Sequence, residues 1–250
     1  VSGTWDAATY DRVAAPQARW GQVVVSRLRL VGNERVLDAG CGTGRVTEVL
    51  LARMPGIRVV ALDTSPDMIE VAKRRLAPWG ERVSFVQGDL LVGAPGPVEA
   101  VLSTATFHWI HDHDRLFANL AQALVPGGQL VAQCGGVGNL ACVQRALVDL
   151  GARVDDTYFA TPEDTEARLE RTGFEDINCW LQPEPTTFGS EEDLETFLGA
   201  VVLRHQLAEL VPAHRPAFVR RVASRLPGGT IDYVRLNILA LRSPHPASRG

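Results

Sequence analysis

The sequence predicts an α/β fold built on a mostly parallel sheet with helices on both faces, and three observations predict it. From residue 35 to about 135, short runs rich in Val, Ile and Leu alternate with longer segments of helical period. Parallel strands need a crossover between them, and a helix is the usual one. The stretch VLDAGCGTGRV (36–46) passes from a buried strand into a helix through Gly40, Gly42 and Gly44. The chain of 250 residues is 46% hydrophobic and 22% charged, ordinary for an enzyme with one large core.

The elements follow in order. RVLDAG (35–40) reads as a strand buried on both faces, followed by helical GRVTEVLLARM. IRVVALD (57–63) is a second strand. SPDMIEVAKRRL then reads as a helix with Ser65 as N-cap and Pro66 at its first position. RVSFVQGD (82–89) and VEAVLST (98–104) are the third and fourth strands. DHDRLFANLAQALVPGG is expected to be a helix closed by Pro-Gly-Gly, with Leu116, Leu120 and Leu124 at spacing four. GQLVAQC (128–134) is a fifth strand. Beyond it the pattern loosens. TPEDTEARLERTG (161–173) is helical, and FEDINCWLQ (174–182) is a strand. Residues 188–226 read as two or three helices interrupted at Pro212 and Pro216, before a last strand in GTIDYVRLNILALR (229–242). A helical segment of this length between two strands is expected to be a lid or a substrate-binding element within a single domain, 1–250.

Composition excludes several classes of function. A net charge of −4 gives no general footprint for nucleic acid or an anionic membrane. Cys41, Cys134, Cys142 and Cys179 form no CxxC pair, and scattered thiols suit a reducing cytoplasm. No apolar run approaches a membrane span. The opening VSGTWDAATYDR lacks a signal-peptide layout, and its lack of Met is what a trimmed chain would show.

The glycine loop lies where open α/β sheets bind ligands, at the carboxyl ends of the strands. A bare tight turn is the plain alternative. Its neighbours favour a ligand. Asp38 stands two residues before Gly40, whereas a pyrophosphate wants a helix N-terminus clear of negative charge, so Asp38 suits a cation. Asp63, nineteen residues after Gly44, ends the second strand, where a carboxylate can accept both hydroxyls of a ribose. Asp89 ends the third strand, where it can accept from an adenine amino group. Three acids at adjacent strand tips describe a nucleoside with a cationic remainder, as in S-adenosylmethionine. A second strand–glycine–helix stretch, LVAQCGGVGNLACVQRAL, has Asp155 and Asp156 at about the ribose-acid distance from Gly138. No strand precedes those aspartates, so a plain loop is the favoured reading there.

VLDAGCGTGRVTEVL, ALDTSPDMIEVAKRRL, VSFVQGDL and LVPGGQLV resemble the successive motifs of class I S-adenosylmethionine-dependent methyltransferases over residues 35 to about 135. The resemblance implies a seven-stranded sheet in order 3-2-1-4-5-7-6, with the seventh strand antiparallel. It implies that Gly40, Gly42 and Gly44, with Cys41, line the methionine portion and that Asp38 lies near its ammonium. Asp63 and Thr64 would sit by the ribose, Asp89 and the backbone of Leu90 by the adenine, and Ser103 at the tip of the fourth strand. Residues 1–30 would be a helical cap, with Tyr10 near the methionine end and Trp20 beside it. The implied activity is methyl transfer to a small-molecule acceptor, at a carboxylate or hydroxyl oxygen or at carbon. Within the family the chain is similar to trans-aconitate methyltransferases in its N-terminal Tyr segment, its Trp-x-x-Asp-His element and its late helical insertion. It departs from them in having TFHWIHDH where a glutamine is expected before the tryptophan, and in lacking an arginine cluster in the insertion. A cofactor-binding protein of this fold that transfers no methyl is the alternative, and an NAD-dependent oxidoreductase is disfavoured by the GxGxG spacing and Asp38. The expected partners are a small acceptor and no nucleic acid or membrane, for a monomer or homodimer.

TFHWIHDHDRLF (106–117) places His108, His111 and His113 within six residues. Asp112 reads as the N-cap of the next helix, which gives His111 and His113 a place at its entrance. Zinc is disfavoured because no separate Cys/His set completes a site. His108 and Trp109 follow the fourth strand, where an acceptor would lie. Trp109 is read as pocket wall; for His108, wall and general base are both open. Arg204, His205, Arg220, Arg221 and Arg235 could face an anionic acceptor, against a default of solvated surface.

Overall fold

The computed structural model describes residues 15–244. Contacts divide them into two compact units. The larger comprises Ala18–Val137, Thr157–Gln182 and the chain from Arg235 on, and the smaller comprises Gly138–Asp156 and Pro183–Val234.

In chain order the regular elements are α1 (Ala15–Arg27), β1 (Arg35–Ala39), α2 (Arg45–Arg53), β2 (Arg58–Asp63), α3 (Pro66–Leu76), β3 (Val83–Gln87), β4 (Val98–Thr104), α4 (His113–Ala123), β5 (Leu124–Gly135), α5 (Ala141–Asp149), α6 (Pro162–Arg171) and β6 (Phe174–Pro183). There follow β7 (Thr186–Thr187), α7 (Glu191–Phe197), α8 (Arg204–Glu209), α9 (Arg215–Ala223), β8 (Thr230–Ile231) and β9 (Val234–Arg242).

The larger unit holds a seven-stranded sheet in the order β3-β2-β1-β4-β5-β9-β6. Strands β1 to β5 pair in parallel, and β9 runs antiparallel to β5. Counted within the sheet, this is the 3-2-1-4-5-7-6 order that the sequence resemblance implies. Alternation of side chains across the pleat separates two cores. Leu37, Val60, Leu62 and Val101 face a cluster with Phe107, Leu116, Phe117 and Leu120. Val36, Val59, Ala61, Ala100 and Leu102 face one with Leu50, Leu51, Ile69 and Leu76. The strands therefore read as continuous apolar runs, because both of their faces are covered.

The caps explain where helices start. Ser65 Oγ accepts from the Met68 amide at 3.3 Å, with Pro66 at the first helical position. Thr161 accepts from the Asp164 amide at 3.1 Å. Two expectations are corrected. The helix after Asp112 stops at Ala123, not at Pro-Gly-Gly, because Leu124 already pairs with Val98 as strand. The register then jumps so that Ala100 faces Gln129, and the residues between bulge out of the ladder. Leu116, Leu120 and Leu124 still share one core, the last of them from a strand. Pro216 does not interrupt a helix. It sits in the first turn of α9, where its missing N–H costs nothing.

The smaller unit contains α5, the β7–β8 ladder and α7 to α9, and so the whole of residues 188–226. Its interior is mainly aliphatic around a small aromatic cluster. Phe197 lies 4.9 Å from Phe188 and 6.4 Å from Tyr233, ring centre to ring centre.

Leu37 is fully buried in the central strand and packs into the first core. Leu37→Ala is expected to destabilise the fold by about 2–5 kcal/mol, the usual cost of such a cavity. Denaturant unfolding of the two proteins checks it.

Candidate functional site

The order of strands reverses at β1, which pairs with β2 on one side and β4 on the other. The loop after β1 is tied to β2. Gly40 and Cys41 donate from their amides to Leu62 O at 2.9 and 2.8 Å, and Gly42 donates to Asp63 Oδ2 at 2.8 Å. Asp63 Oδ1 accepts from the Ser65 amide at 2.9 Å. Each oxygen of Asp63 keeps a further lone pair. Among the three glycines only Gly42 borders open space. A Cβ on Gly40 would lie 2.1 Å from Thr106 Oγ1, and one on Gly44 would lie 2.9 Å from Leu76. Gly40 and Gly44 are therefore packing glycines, and Gly42 is the one a ligand can approach.

Asp38 is buried at 1% exposure. Thr47 Oγ1 donates to its Oδ2 at 2.5 Å, and its Oδ1 is buried with no hydrogen-bond partner. Burial pushes the carboxyl up to about 6, and the negative charge of Asp63 adds to that, against the Thr47 hydrogen bond. The carboxylate behind the glycine loop thus keeps one buried acceptor short of a donor.

The other expected residues are less concentrated. Asp89 is exposed two residues beyond β3, and its Oδ1 accepts from the Leu91 amide at 2.8 Å. Leu90 is buried, and its carbonyl accepts from Asn119 Nδ2 at 2.7 Å. Thr64 is exposed between Asp63 and Ser65. Cys41 is buried, and burial drives its thiol up, so it is unreactive. Ser103 spends its hydroxyl proton on Ala39 O at 2.7 Å, a tie between β4 and β1. Tyr10 lies outside the described residues.

Residues Phe107–Trp109 form a single 3-10 turn after β4. His108 is buried there, and its Nδ1 accepts from the Gly135 amide at 3.3 Å. The other nitrogen, Nε2, therefore carries the ring proton. Burial lowers this imidazole to about 3, helped by the positive charge of Arg235 and by His113. Such a ring is neutral at ordinary pH, with its Nε2–H available as a donor. Trp109 is 47% exposed beside it, the ring centres 5.2 Å apart. Asp112 caps α4 by accepting from the Arg115 amide at 2.9 Å, as read from the sequence. His113 starts α4, at the helix entrance where the sequence puts it, and is buried there at 1% exposure. Its Nε2 bonds Phe107 O at 3.0 Å and its ring packs on Phe117 and Tyr158, so it props the turn that carries His108. His111 is exposed. No group of His, Cys, Asp or Glu among the described residues could hold a metal ion.

Residues 36–128 match the protein family described as Methyltransferase domain. That match covers the glycine loop, all three acids and the turn bearing His108, on a sheet of the order just described. Over these residues the chain is similar to methyltransferase domains. It is 39% identical over 132 residues to the trans-aconitate 2-methyltransferase of Paracidovorax citrulli, covering 52% of this chain and 49% of that one. It is 34% identical over 133 residues to the enzyme of the same name from Mycobacterium tuberculosis, covering 53% and 49%. The chain thus spans about half the length of the curated relatives it matches. Among solved structures, Haemonchus contortus phosphoethanolamine N-methyltransferase 2, in complex with S-adenosylhomocysteine and its phosphomonomethylethanolamine ligand, superposes with a TM-score of 0.66 at 22% identity, over 95% of this chain and 56% of that one. The [4+2]-cyclase SpnF superposes with a TM-score of 0.61 at 21% identity, over 91% and 81%.

Around this site the structure adds residues that the sequence does not point to. Phe159 stacks on His108 with ring centres 5.9 Å apart. Arg235, read by default as solvated, is 4% exposed, with its guanidinium 4.5 Å above the Trp20 ring. Arg204, His205, Arg220 and Arg221 are exposed, as that default has it. Arg235 differs because it lies in β9, opposite Gly135 of β5 in the seven-stranded sheet. The second glycine stretch is closed by its own chain. Asp232 Oδ2 accepts from the Cys142 amide at 2.9 Å, and its Oδ1 lies 2.6 Å from the Cys142 thiol. A carboxylate already occupies the first turn of α5, where an anion would otherwise bind.

Asp38 gives a test of this geometry without any ligand. Its folded pKa is raised above the ordinary carboxylate value, so between about pH 4 and 6 the folded state holds the extra proton and stability falls as pH rises. Asp38→Asn removes that ionisation. The stability of the variant relative to the parent is expected to rise as pH goes from 4 to 7, measured by denaturant unfolding at each pH; a difference independent of pH would refute the buried ionisation.

Proposed function

We propose that this chain is an S-adenosylmethionine-dependent methyltransferase whose acceptor is a small molecule methylated at a carboxylate oxygen. The observation that carries the reading is the buried, unpartnered Oδ1 of Asp38 behind a glycine loop whose Gly42 borders open space. An acceptor so placed, beside a second carboxylate, suits an ammonium donor and repels a phosphate. The Asp63 carboxylate, with lone pairs to spare, suits the two hydroxyls of a ribose, and the exposed Asp89 with the Leu90 backbone suits an adenine edge. The bound group would supply a methyl already activated on sulfonium sulfur. The chain's own residues then bind, orient and exclude water, effects worth several kcal/mol. Trp109 and His108 would form the acceptor wall. A carboxylate acceptor needs no base, which agrees with an imidazole held neutral at His108. The similarity to trans-aconitate 2-methyltransferases supports this acceptor class.

A second reading is a cofactor-binding protein of this fold that transfers no methyl; the fold is also that of a [4+2]-cyclase, so the fold by itself does not select the reaction. Detection of S-adenosylhomocysteine formed with a carboxylate acceptor separates the two.

Asp63→Ala is expected to weaken S-adenosylmethionine by about 1.5–3 kcal/mol, the range for hydrogen bonds to a charged group. Calorimetry on a variant whose unfolding temperature is near that of the parent reads this, and unchanged affinity would move the cofactor elsewhere.

For the acceptor side, kcat/KM is expected to show no ionisation near pH 6.5 from His108, and His108→Gln to change kcat only mildly. A fall of about 10²–10⁴ in that variant would restore His108 as a general base.

A further inference from the structure

We infer that His113 is a positioning residue of the acceptor site: its imidazole holds the peptide group that leads into His108 and so sets where His108 and Trp109 stand. This rests on the methyl-transfer reading above, which makes those two side chains the acceptor wall. The turn does not hold itself. The chain enters it through Ala105 at φ 54°, a left-handed conformation that an alanine rarely adopts. Two of its carbonyls are taken from outside. His113 Nε2 lies 3.0 Å from Phe107 O, and a carbonyl only accepts, so Nε2 carries the proton. The Tyr158 amide donates to His108 O at 2.9 Å. These carbonyls belong to the peptide groups on either side of the His108 Cα, and each group is planar, so the backbone at His108 is held from both ends. The two holding residues also brace each other, their ring centres 5.0 Å apart and the planes at 82°. The imidazole of His108 is seated in turn by the Gly135 amide and the Phe159 ring. All of these residues belong to the larger unit.

Packing alone does not call for a histidine here. Burial lowers the pKa of the ring, against the pull of the Phe107 carbonyl, so the imidazole is neutral and its Nδ1 is an acceptor. That Nδ1 is buried with no hydrogen-bond partner among the described residues. A buried acceptor left without a donor costs more than a typical hydrogen bond returns. Phe107 O would not be left bare if the imidazole were removed, because the Ile110 amide also donates to it, at 3.0 Å. A phenyl ring would fill nearly the same space against Phe117 and Tyr158 and would bury no polar atom. What the imidazole adds is direction, one N–H aimed at one peptide plane. Direction matters to a site that works by alignment, where a misplacement of about 1 Å can cost about 10² in rate.

The test compares the whole chain carrying His113→Phe with the parent and with His113→Gln, which restores a side-chain N–H. The unfolding temperature of His113→Phe is expected to be no lower than that of the parent. Amide hydrogen exchange at Trp109, Ile110 and Tyr158 is expected to quicken by about fivefold or more, the effect of one lost hydrogen bond, while the amides of β1 and β4 keep their protection. His113→Gln should recover most of that protection. With succinate or propane-1,2,3-tricarboxylate as acceptor, kcat/KM for the acceptor should fall by about 10–10² in His113→Phe and recover in His113→Gln, with the KM for S-adenosylmethionine within about twofold of the parent. A folded His113→Phe whose turn exchanges as in the parent overturns the inference, and so does unchanged acceptor turnover in that variant. A lowered unfolding temperature with protection lost across the whole sheet, or failure of His113→Phe to fold, makes His113 a structural residue only and overturns it as well. The exchange measurement involves no turnover. A parent that forms no S-adenosylhomocysteine with either acceptor counts against methyl transfer, and exchange still decides whether His113 holds the turn.

Discussion

One carboxylate organises the ligand-binding edge of this sheet. Asp63 accepts from the amide of Gly42 in the loop after β1 and from the amide of Ser65 at the start of α3. Two loops that leave neighbouring strands are thereby held by one side chain. With the amides of Gly40 and Cys41 on Leu62 O, the glycine loop is pinned along the end of β2. Everything at the crevice follows from that position. Gly40 is pressed against Thr106 of the loop after β4, and Asp38 is left behind the loop with its carboxyl raised by burial and by Asp63 itself. Two carboxylates so close together make a site for a donor or a cation.

The second strand–glycine–helix stretch shows why a motif alone does not make a site. It has the glycines and a helix of nine residues, α5, yet the first turn of that helix is filled by Asp232 from the same chain. The two stretches differ in what the tertiary fold brings to them. One receives Thr106 and keeps open space at Gly42; the other receives a carboxylate that uses the exposed amides.

A buried polar line crosses the far half of the sheet. Asn237 Oδ1 accepts from Arg27 at 2.5 Å and from Gln133 Nε2 at 2.7 Å. Arg27 also lies 4.8 Å above Trp180, while Arg235 lies over Trp20. Helix α1 thus gives one cation and one indole to the sheet and meets one of each in return. Buried polar groups require partners, so this pairing fixes the seat of α1 more narrowly than apolar contact would. It also sets Trp20 against Arg235, close to the turn that carries His108.

Local chemistry made much of the molecule legible. The alternation of strand and helix, the caps at Ser65 and Asp112, and the glycine loop depend on residues a few positions apart, and each stands where the sequence puts it. The end of α4 was misread because Leu124 is claimed by pairing with Val98, a contact between distant residues that outweighs helical spacing. The same holds for Arg235, whose burial depends on β9 entering the sheet beside β5. The sequence by itself determined the class of fold and the acids at the strand tips, because strand periodicity and turn chemistry are local. Only the tertiary structure decided which glycine faces a ligand, which nitrogen of His108 carries the proton and which arginine is buried, because each depends on a partner brought from far along the chain and on the water that partner displaces.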